Sequence, residues 1–399
     1  MKQNAPVAIT GIGCISASGK SLKENMESLF AGRRNSSAPM GFSSSHPNNY
    51  PVFEINGDIP EIRNDHKNKL SRTSRLGLAA ACEAIKDAGL DMEIMHGLKV
   101  GVCMGTTVGS TMNDEPFYRD FRNSLSPDMS AIDRYLNSNP SSAIAREYSL
   151  NGPCQTIVNA CSSGTDAIGI GASWIRAGVC DVVIAGGADE LSRISYNGFI
   201  SLMITSEEPC KPFDKNRKGL NLGEGGAVLI LESEDSIKRQ KKRPRAFVLG
   251  YGSACDGYHL TAPHPGGKGL RRALKDAFID SGKQAHDIVF VNAHGTATPD
   301  NDRTETGVIK EILPDIPFLS TKGYTGHTLG AAGAIEAAYT VACLEAGKIP
   351  ANAGFRETDP ELGISPVTEN TTITGKTALS ESLAFGGQNS VLILSTEGI

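Results

Sequence analysis

Apolar residues along the 399-residue chain fall into two alternating patterns. Short runs predict strands at Val7–Thr10, Val100–Met104, Thr156–Asn159, Val182–Ala185, Val228–Leu231, Ala246–Gly250, Ile288–Asn292, Phe318–Ser320 and Val391–Leu394. They are continuous rather than alternating, which predicts burial on both faces. Between them, stretches with apolar positions three and four apart predict helices at Ser71–Ala88, Gly164–Ala177, Gly269–Ser281 and Gly330–Ala346. This alternation over the whole length predicts an α/β architecture with largely parallel sheets. Segment 31–65, rich in Ser, Asn and Pro, reads as surface loop. Segment 108–140, mixed polar and aromatic, reads as a cap or interface insertion.

Two signals point to internal duplication. The run VLIL occurs at Val228–Leu231 and again at Val391–Leu394. Cys161 and His327 each follow a strand and precede a Gly/Ala-rich helix. The chain therefore divides into an N-terminal half, 1–240, and a C-terminal half, 241–399. The Lys/Arg run at the junction, 234–245, reads as a solvated helix end.

Composition narrows the function. With 44 acidic and 39 basic residues the net charge is -5, which argues against a nucleic-acid binder. No long uninterrupted apolar stretch indicates a membrane span, and the N-terminus lacks the pattern of a secretory signal. Nine scattered cysteines with no CxxC pair fit neither a disulfide scaffold nor a zinc module, so a reducing cytoplasm is expected. The 44 glycines imply many close backbone approaches.

The chemistry centres on Cys161 in IVNACSSGTDA, at a predicted strand-to-helix turn. A helix N-terminus offers free N–H groups and positive partial charge, which favour the reactive thiolate. His294 in NAHGTATP and His327 in TKGYTGHTLGAAG each follow a strand and are hemmed by Gly and Thr, where a ligand can approach. Two neutral imidazoles facing one thiol could donate hydrogen bonds to a developing oxyanion. Alone, each of these residues reads as well as a core thiol or a satisfied histidine. SLAFGGQNS, taken alone, reads as a Gly-rich hairpin. GTTVGS lacks the ending of a phosphate loop, and GIGCISASG lacks the acid of a dinucleotide site. Carboxylates look dispersed, without an acid/base pair, and nothing has metal-ligand spacing.

Four motifs in order change the weighing. ACSSG with Cys161, NAHGTATP with His294, TKGYTGHTLGAAG with Lys322 and His327, and AFGG with Phe385 together resemble β-ketoacyl-acyl carrier protein synthases, the elongating type II enzymes most closely. VAITGIGCISASG, PFDKNRKGLNLGEGGAVLILE and DGYHLTAPHP extend the resemblance over nearly the whole chain. It implies the thiolase fold, a duplicated α/β unit in five α-β-α-β-α layers. Cys161 would take the acyl chain from carrier protein, and His294 and His327 would stabilise the enolate left by malonyl decarboxylation. Lys322, paired with Glu336, would support the histidines. The N–H groups of Cys161 and Phe385 would hold the acyl-transfer oxyanion, with Phe385 as a gate. Thr296 and Thr298 would bind the pantetheine arm. No separate cofactor is implied. The partners implied are acyl carrier protein with its acyl and malonyl thioesters, and a second subunit in a homodimer or in a heterodimer with a homologous chain-length subunit. Docking of an acidic carrier would use Lys67, Lys69, Arg72 and Arg75, or Lys211, Lys215 and Arg217.

The usual NSFGFGGTN reads here as ESLAFGGQN, so Glu381 replaces an amide, Ala384 a glycine and Gln388 a threonine. These departures leave open a catalytic ketosynthase subunit of a dedicated type II polyketide or polyene pathway. A thiolase would need a second cysteine near the C-terminus, where AFGGQN stands, and a non-catalytic chain-length subunit would ordinarily lack Cys161.

Overall fold

A computed structural model describes residues 5–60, 69–109, 114–123 and 126–398. Ten strands share one sheet, in the order β3-β2-β4-β5-β1-β6-β12-β11-β7-β8. These are β1 Val7–Ser16, β2 Val100–Gly105, β3 Cys154–Ile157, β4 Val182–Asp189, β5 Gly225–Glu232, β6 Ala246–Cys255, β7 Ile288–Asn292, β8 Phe318–Leu319, β11 Thr377–Leu383 and β12 Gln388–Ser395. Lys348–Ile349 (β9) and Thr371–Thr372 (β10) form a separate small ribbon. Read inward from either edge, the order is the same: third, second, fourth, fifth and first strand of its half. The strand directions repeat as well, and antiparallel β1 and β6 join the two copies.

The sheet is mixed, not largely parallel as the alternation predicted. β2–β3, β2–β4, β7–β11 and β7–β8 are parallel, and the other neighbours are antiparallel. One cause is local: β11 and β12 are joined by a single turn at Phe385–Gly387, too short for a crossover.

Helices α1 (Arg72–Asp87), α2 (Ser163–Arg176), α3 (Arg193–Ser201), α4 (Lys268–Ser281), α5 (Pro299–Ile312) and α6 (Ala332–Ala346) complete the frame. α1 covers β1 and β5, and α4 covers β6 and β12. α2 and α6 lie against each other in the middle, α2 on β2 and β4, α6 on β5 and β11. This gives the five layers expected of the thiolase fold. α6 has no polar stripe because both sides are core. The segment Leu329–Ala346 is long and apolar enough to cross a membrane, yet 89% of it is buried inside the fold. All nine cysteines are free thiols. Most of the basic run at the junction is solvated and paired, Lys238 with Glu234 and Arg239 with Asp181, but Lys242 turns inward to buried Glu232 at 3.0 Å.

Segment 108–140 contains helices at Glu115–Arg122 and Ser130–Asn137 with no buried residue. They leave Tyr118, Phe121, Met129, Tyr135 and Leu136 exposed.

The central helices approach through glycine. A Cβ on Gly164 would sit 2.8 Å from the Ala334 nitrogen and 2.9 Å from the Gly330 oxygen. Both obstacles are backbone, so neither can swing away. Gly164→Ala should therefore lower unfolding stability by about 1–3 kcal/mol, the usual cost of overpacking. The midpoint of urea unfolding reads this; an unchanged midpoint would mean the helices can part without cost.

Candidate active site

The N-terminal ends of α2 and α6 converge at the centre of the molecule. Before α2 the chain turns sharply: Ala160 has φ 48°. Asn159 and Ser162 both donate to Asp166, at 2.6 and 2.8 Å, which locks the turn to the first coil of the helix. Cys161 is thereby presented beside the helix start while only 4% exposed.

Before α6 the chain makes two left-handed steps, Gly326 at φ 65° and Leu329 at φ 52°. His327 between them points its Nε2 at the Cys161 Sγ, 3.0 Å away. Its Nδ1 meets no partner among the described residues. His294 follows β7, and its ring lies 5.2 Å from that of His327, centroid to centroid, at 84°. Lys322 donates to His294 Nδ1 at 3.1 Å and to the His294 carbonyl at 2.6 Å, and forms a close ion pair with Glu336 of α6. An ammonium can only donate, so His294 Nδ1 is an acceptor and its proton sits on Nε2, facing the thiol.

Electrostatics follow from dryness. Burial, and then the Lys322 charge, hold both imidazoles well below the usual histidine range, so both are neutral. Burial pushes Glu336 up to about 7 against the pull of Lys322. Burial also pushes the Cys161 thiol up to about 11, against the pull of Lys322 and a hydrogen bond from the Phe385 N–H. The thiolate expected from the helix N-terminus is thus corrected. In the closed site desolvation wins, and the resting group is a thiol.

Phe385 sits in the turn between β11 and β12, where Gly386 and Gly387 take φ 84° and 82°. Its ring stacks on Phe199 of α3, 5.6 Å between centroids and 17° between planes. The Gly-rich hairpin is thus a tight turn beside the thiol. A cleft reaches Cys161, His294 and His327 past Phe385, Thr296 and Thr298. The two threonine hydroxyls lie 2.8 Å apart.

The sequence reading missed the carboxylates. They are not dispersed: Glu305, Glu336 and Glu381 gather behind His294 and Lys322. Glu305 accepts the N–H groups of His294 and Gly295, at 2.5 and 2.8 Å. Asp189 accepts N–H groups from Thr107 and Gly330, both at 2.7 Å, and so ties the loop after β2 to the segment after His327. The only signal for either is a buried strand or helix position occupied by an acid.

The proposed docking charges scatter. Lys67 lies outside the described residues, and Lys69 is exposed. Arg72 is held by buried Glu224 at 2.5 and 2.7 Å. Arg217 is corrected: it is buried against Asp359 at 2.5 Å and cannot form a docking surface. Lys211 and Lys215 pair with Glu208 and Glu357 at 2.5 Å.

Cys161, His294 and His327 form the one group of possible metal ligands among the described residues. The ammonium 3.1 Å from His294 makes this a poor place for a cation.

Family models described as beta-ketoacyl synthase, N-terminal domain and C-terminal domain match residues 4–236 and 245–356. The chain is 32% identical to a 3-oxoacyl-[acyl-carrier-protein] synthase 2 of Synechocystis sp., covering 97% of each. Among solved structures it resembles the ishigamide ketosynthase/chain length factor, at TM-score 0.93 and 31% identity, over 99% of this chain and 100% of that one. It also resembles a ketosynthase of Xenorhabdus doucetiae solved with its chain length factor, at TM-score 0.86 and 30% identity, over 99% of each chain.

The buried ammonium should tune the thiol. In a variant that removes the ion pair as a unit, Lys322→Met with Glu336→Gln, iodoacetamide labelling of Cys161 should shift to higher pH. An unshifted rate–pH curve would mean that the pair as a whole does not tune Cys161.

Proposed function

The chain belongs to the β-ketoacyl synthase family, and on that footing we propose how its residues divide the work. The reaction is the decarboxylative condensation of an enzyme-bound acyl chain with malonyl-acyl carrier protein, giving β-ketoacyl-acyl carrier protein. Substrates ride on carrier phosphopantetheine, without a separate cofactor. The observation that carries the assignment is the 3.0 Å contact of the Cys161 thiol with His327, with neutral His294 alongside.

In the first half, the Cys161 proton leaves towards His327 Nε2 and the sulfur attacks the acyl thioester. The Phe385 and Cys161 N–H groups hold the oxyanion, and the pantetheine thiol departs with a proton. In the second half, the malonyl C–C bond to the carboxylate breaks and carbon dioxide leaves. The electron pair moves onto the thioester oxygen. His294 donates a hydrogen bond from its Nε2–H to that oxygen, and His327 donates another beside it. No base is needed, only donors aimed where charge develops. The enolate carbon then attacks the Cys161 thioester, the C–S bond breaks, and the sulfur leaves as a thiolate that takes up a proton from solvent to restore the resting thiol. Thr296 and Thr298 line the approach of the pantetheine arm, and Phe385, braced on Phe199, separates acyl from malonyl binding.

The chain works as halves 1–240 and 241–399, with Cys161 from one and both histidines from the other. A partner subunit covers the exposed apolar face of segment 108–140 and the open edge of β3. Fatty-acid or related elongation in the cytoplasm is the first reading of the pathway. A catalytic subunit of a dedicated polyketide or polyene system is the second. It is favoured by the likeness to ketosynthases solved with chain length factors and by Glu381, Ala384 and Gln388 around the gate.

Intact-protein mass after incubation with a panel of acyl-carrier proteins tests the assignment. A mass gain lost in Cys161→Ala identifies the nucleophile and the primer class; saturated chains favour elongation, unsaturated or aryl chains the second reading. No gain with any primer, alone or with a partner subunit, would refute it. His294→Ala or His327→Ala should slow malonyl decarboxylation by about 10²–10³-fold. If Lys69, Lys211 and Lys215 guide docking, turnover with carrier protein should fall steeply with added salt, and a flat response removes them.

A further inference from the structure

One buried carboxylate joins the turn that presents Cys161 to the hairpin that carries Phe385. Asp166, in the first turn of α2, is 3% exposed. Its Oδ2 accepts the Asn159 amide at 2.6 Å and the Ser162 hydroxyl at 2.8 Å, from either side of Cys161. Its Oδ1 accepts the Tyr251 hydroxyl of β6 at 2.8 Å and, at close range, the Ser390 hydroxyl of β12. The preceding residue, Thr165, shares a hydrogen bond of 2.8 Å with Ser382 of β11. Ser382 and Ser390 face each other across the β11–β12 ladder, next to its last pair at Leu383 and Asn389. The start of α2 therefore grips both strands of the hairpin just before they close at Phe385.

The surroundings serve this grip. Tyr251 reaches Asp166 by packing on α2 at Gly169, where a Cβ would sit 2.4 Å from its ring. Burial, and then the Asp166 charge, hold the Tyr251 hydroxyl well above the usual tyrosine range, so it stays a donor. The Ser253 hydroxyl stands 3.2 Å from that of Ser390 and can donate to it while Ser390 donates to Asp166. Bonds to an ionised acceptor are stronger than bonds between neutral groups.

The two N–H groups read above as holding the acyl-transfer oxyanion belong to different halves, Cys161 before α2 and Phe385 in the hairpin turn. They act together only if their spacing is held. Phe385 is followed by two glycines at positive φ, a turn that does not fix itself. On its outer side that turn is tied to the Asp256 N–H and the Leu260 carbonyl. Its tie to the helix that follows Cys161 runs through Thr165 and Asp166.

We propose that Asp166 is a positioning residue for acyl transfer: with Thr165 beside it, it sets the spacing of the Phe385 N–H from the Cys161 N–H by holding the hairpin and the Cys161 turn on one carboxylate. The inference rests on the reading of those N–H groups as the oxyanion donors. The histidines are held by other means, His294 by Lys322 and Glu305, His327 by the Asn221 carbonyl, so malonyl decarboxylation does not depend on this carboxylate.

Asp166→Asn keeps the shape, but its amide nitrogen cannot accept, so one pair of donors loses its acceptor. It should slow single-turnover transfer of an acyl chain from carrier protein to Cys161 by about 10–100-fold, and leave unprimed decarboxylation of malonyl-carrier protein within about threefold of wild type. Ser390→Ala, which frees β12 alone from the carboxylate, should show the same imbalance to a smaller degree, and it carries the test if Asp166→Asn does not fold. A spectroscopic reading separates the proposal from its premise. In wild type, an acyl group isotope-labelled at its carbonyl carbon and loaded on Cys161 should show a carbonyl stretch lowered by the two N–H groups, relative to the same thioester in an aprotic solvent. In both variants the band should move back up. Equal losses in the two half-reactions would overturn the proposal, since Asp166 would then serve only the fold. So would acyl transfer and a carbonyl band unchanged in both variants. A band that is not lowered in wild type would overturn it by removing its premise, the paired oxyanion donors, while leaving acylation of Cys161 intact.

Discussion

The site depends on how closely two helix beginnings can approach. α2 and α6 belong to different halves of the sheet, and each is preceded by a sharp turn carrying one reacting group. Gly164 and the Gly330–Ala334 backbone leave no room between them. That proximity sets the distance from Cys161 to His327. At the end of the cleft these groups are almost fully buried, and the raised thiol, the lowered imidazoles and the reluctant carboxyls follow from that burial.

A dry site with a single ammonium makes charge scarce. Lys322 cannot neutralise Glu305, Glu336 and Glu381 together, so the fold spreads the load. Glu336 takes the ion pair and Glu305 takes backbone N–H groups. The same ammonium fixes the His294 proton on the nitrogen facing the thiol. Charge balance and orientation are therefore one device. Removing Lys322 alone would strand Glu336 in the core, which is why a paired substitution separates its effect on Cys161 from a loss of folding.

Much of this was legible in the sequence wherever burial and apolarity coincide. Strands such as Val182–Ala185 and helices such as Gly164–Ala177 are apolar because both sides are core, and the duplicated order of elements showed in the placing of Cys161 and His327. β11 was not legible, because Thr377–Leu383 is buried with Ser380, Glu381 and Ser382 inside it, and burial there serves polar contacts. Glu305 and Asp189 escaped for a related reason: their partners are N–H groups, which leave no mark in a sequence. Arg217 misled because a basic run looks the same whether its charges face water or Asp359. The mixed sheet escaped because apolar runs carry no direction.

The two imidazoles look alike but are not interchangeable. His294 is pinned by Lys322 in one tautomer, while His327 has an uncommitted Nδ1 in a closed pocket. With no partner on Nδ1 among the described residues, nothing beside the ring commits the His327 proton to either nitrogen, while its Nε2 lies against the Cys161 sulfur. The fold therefore fixes the proton of one histidine and leaves that of the other to be set by whatever occupies the cleft.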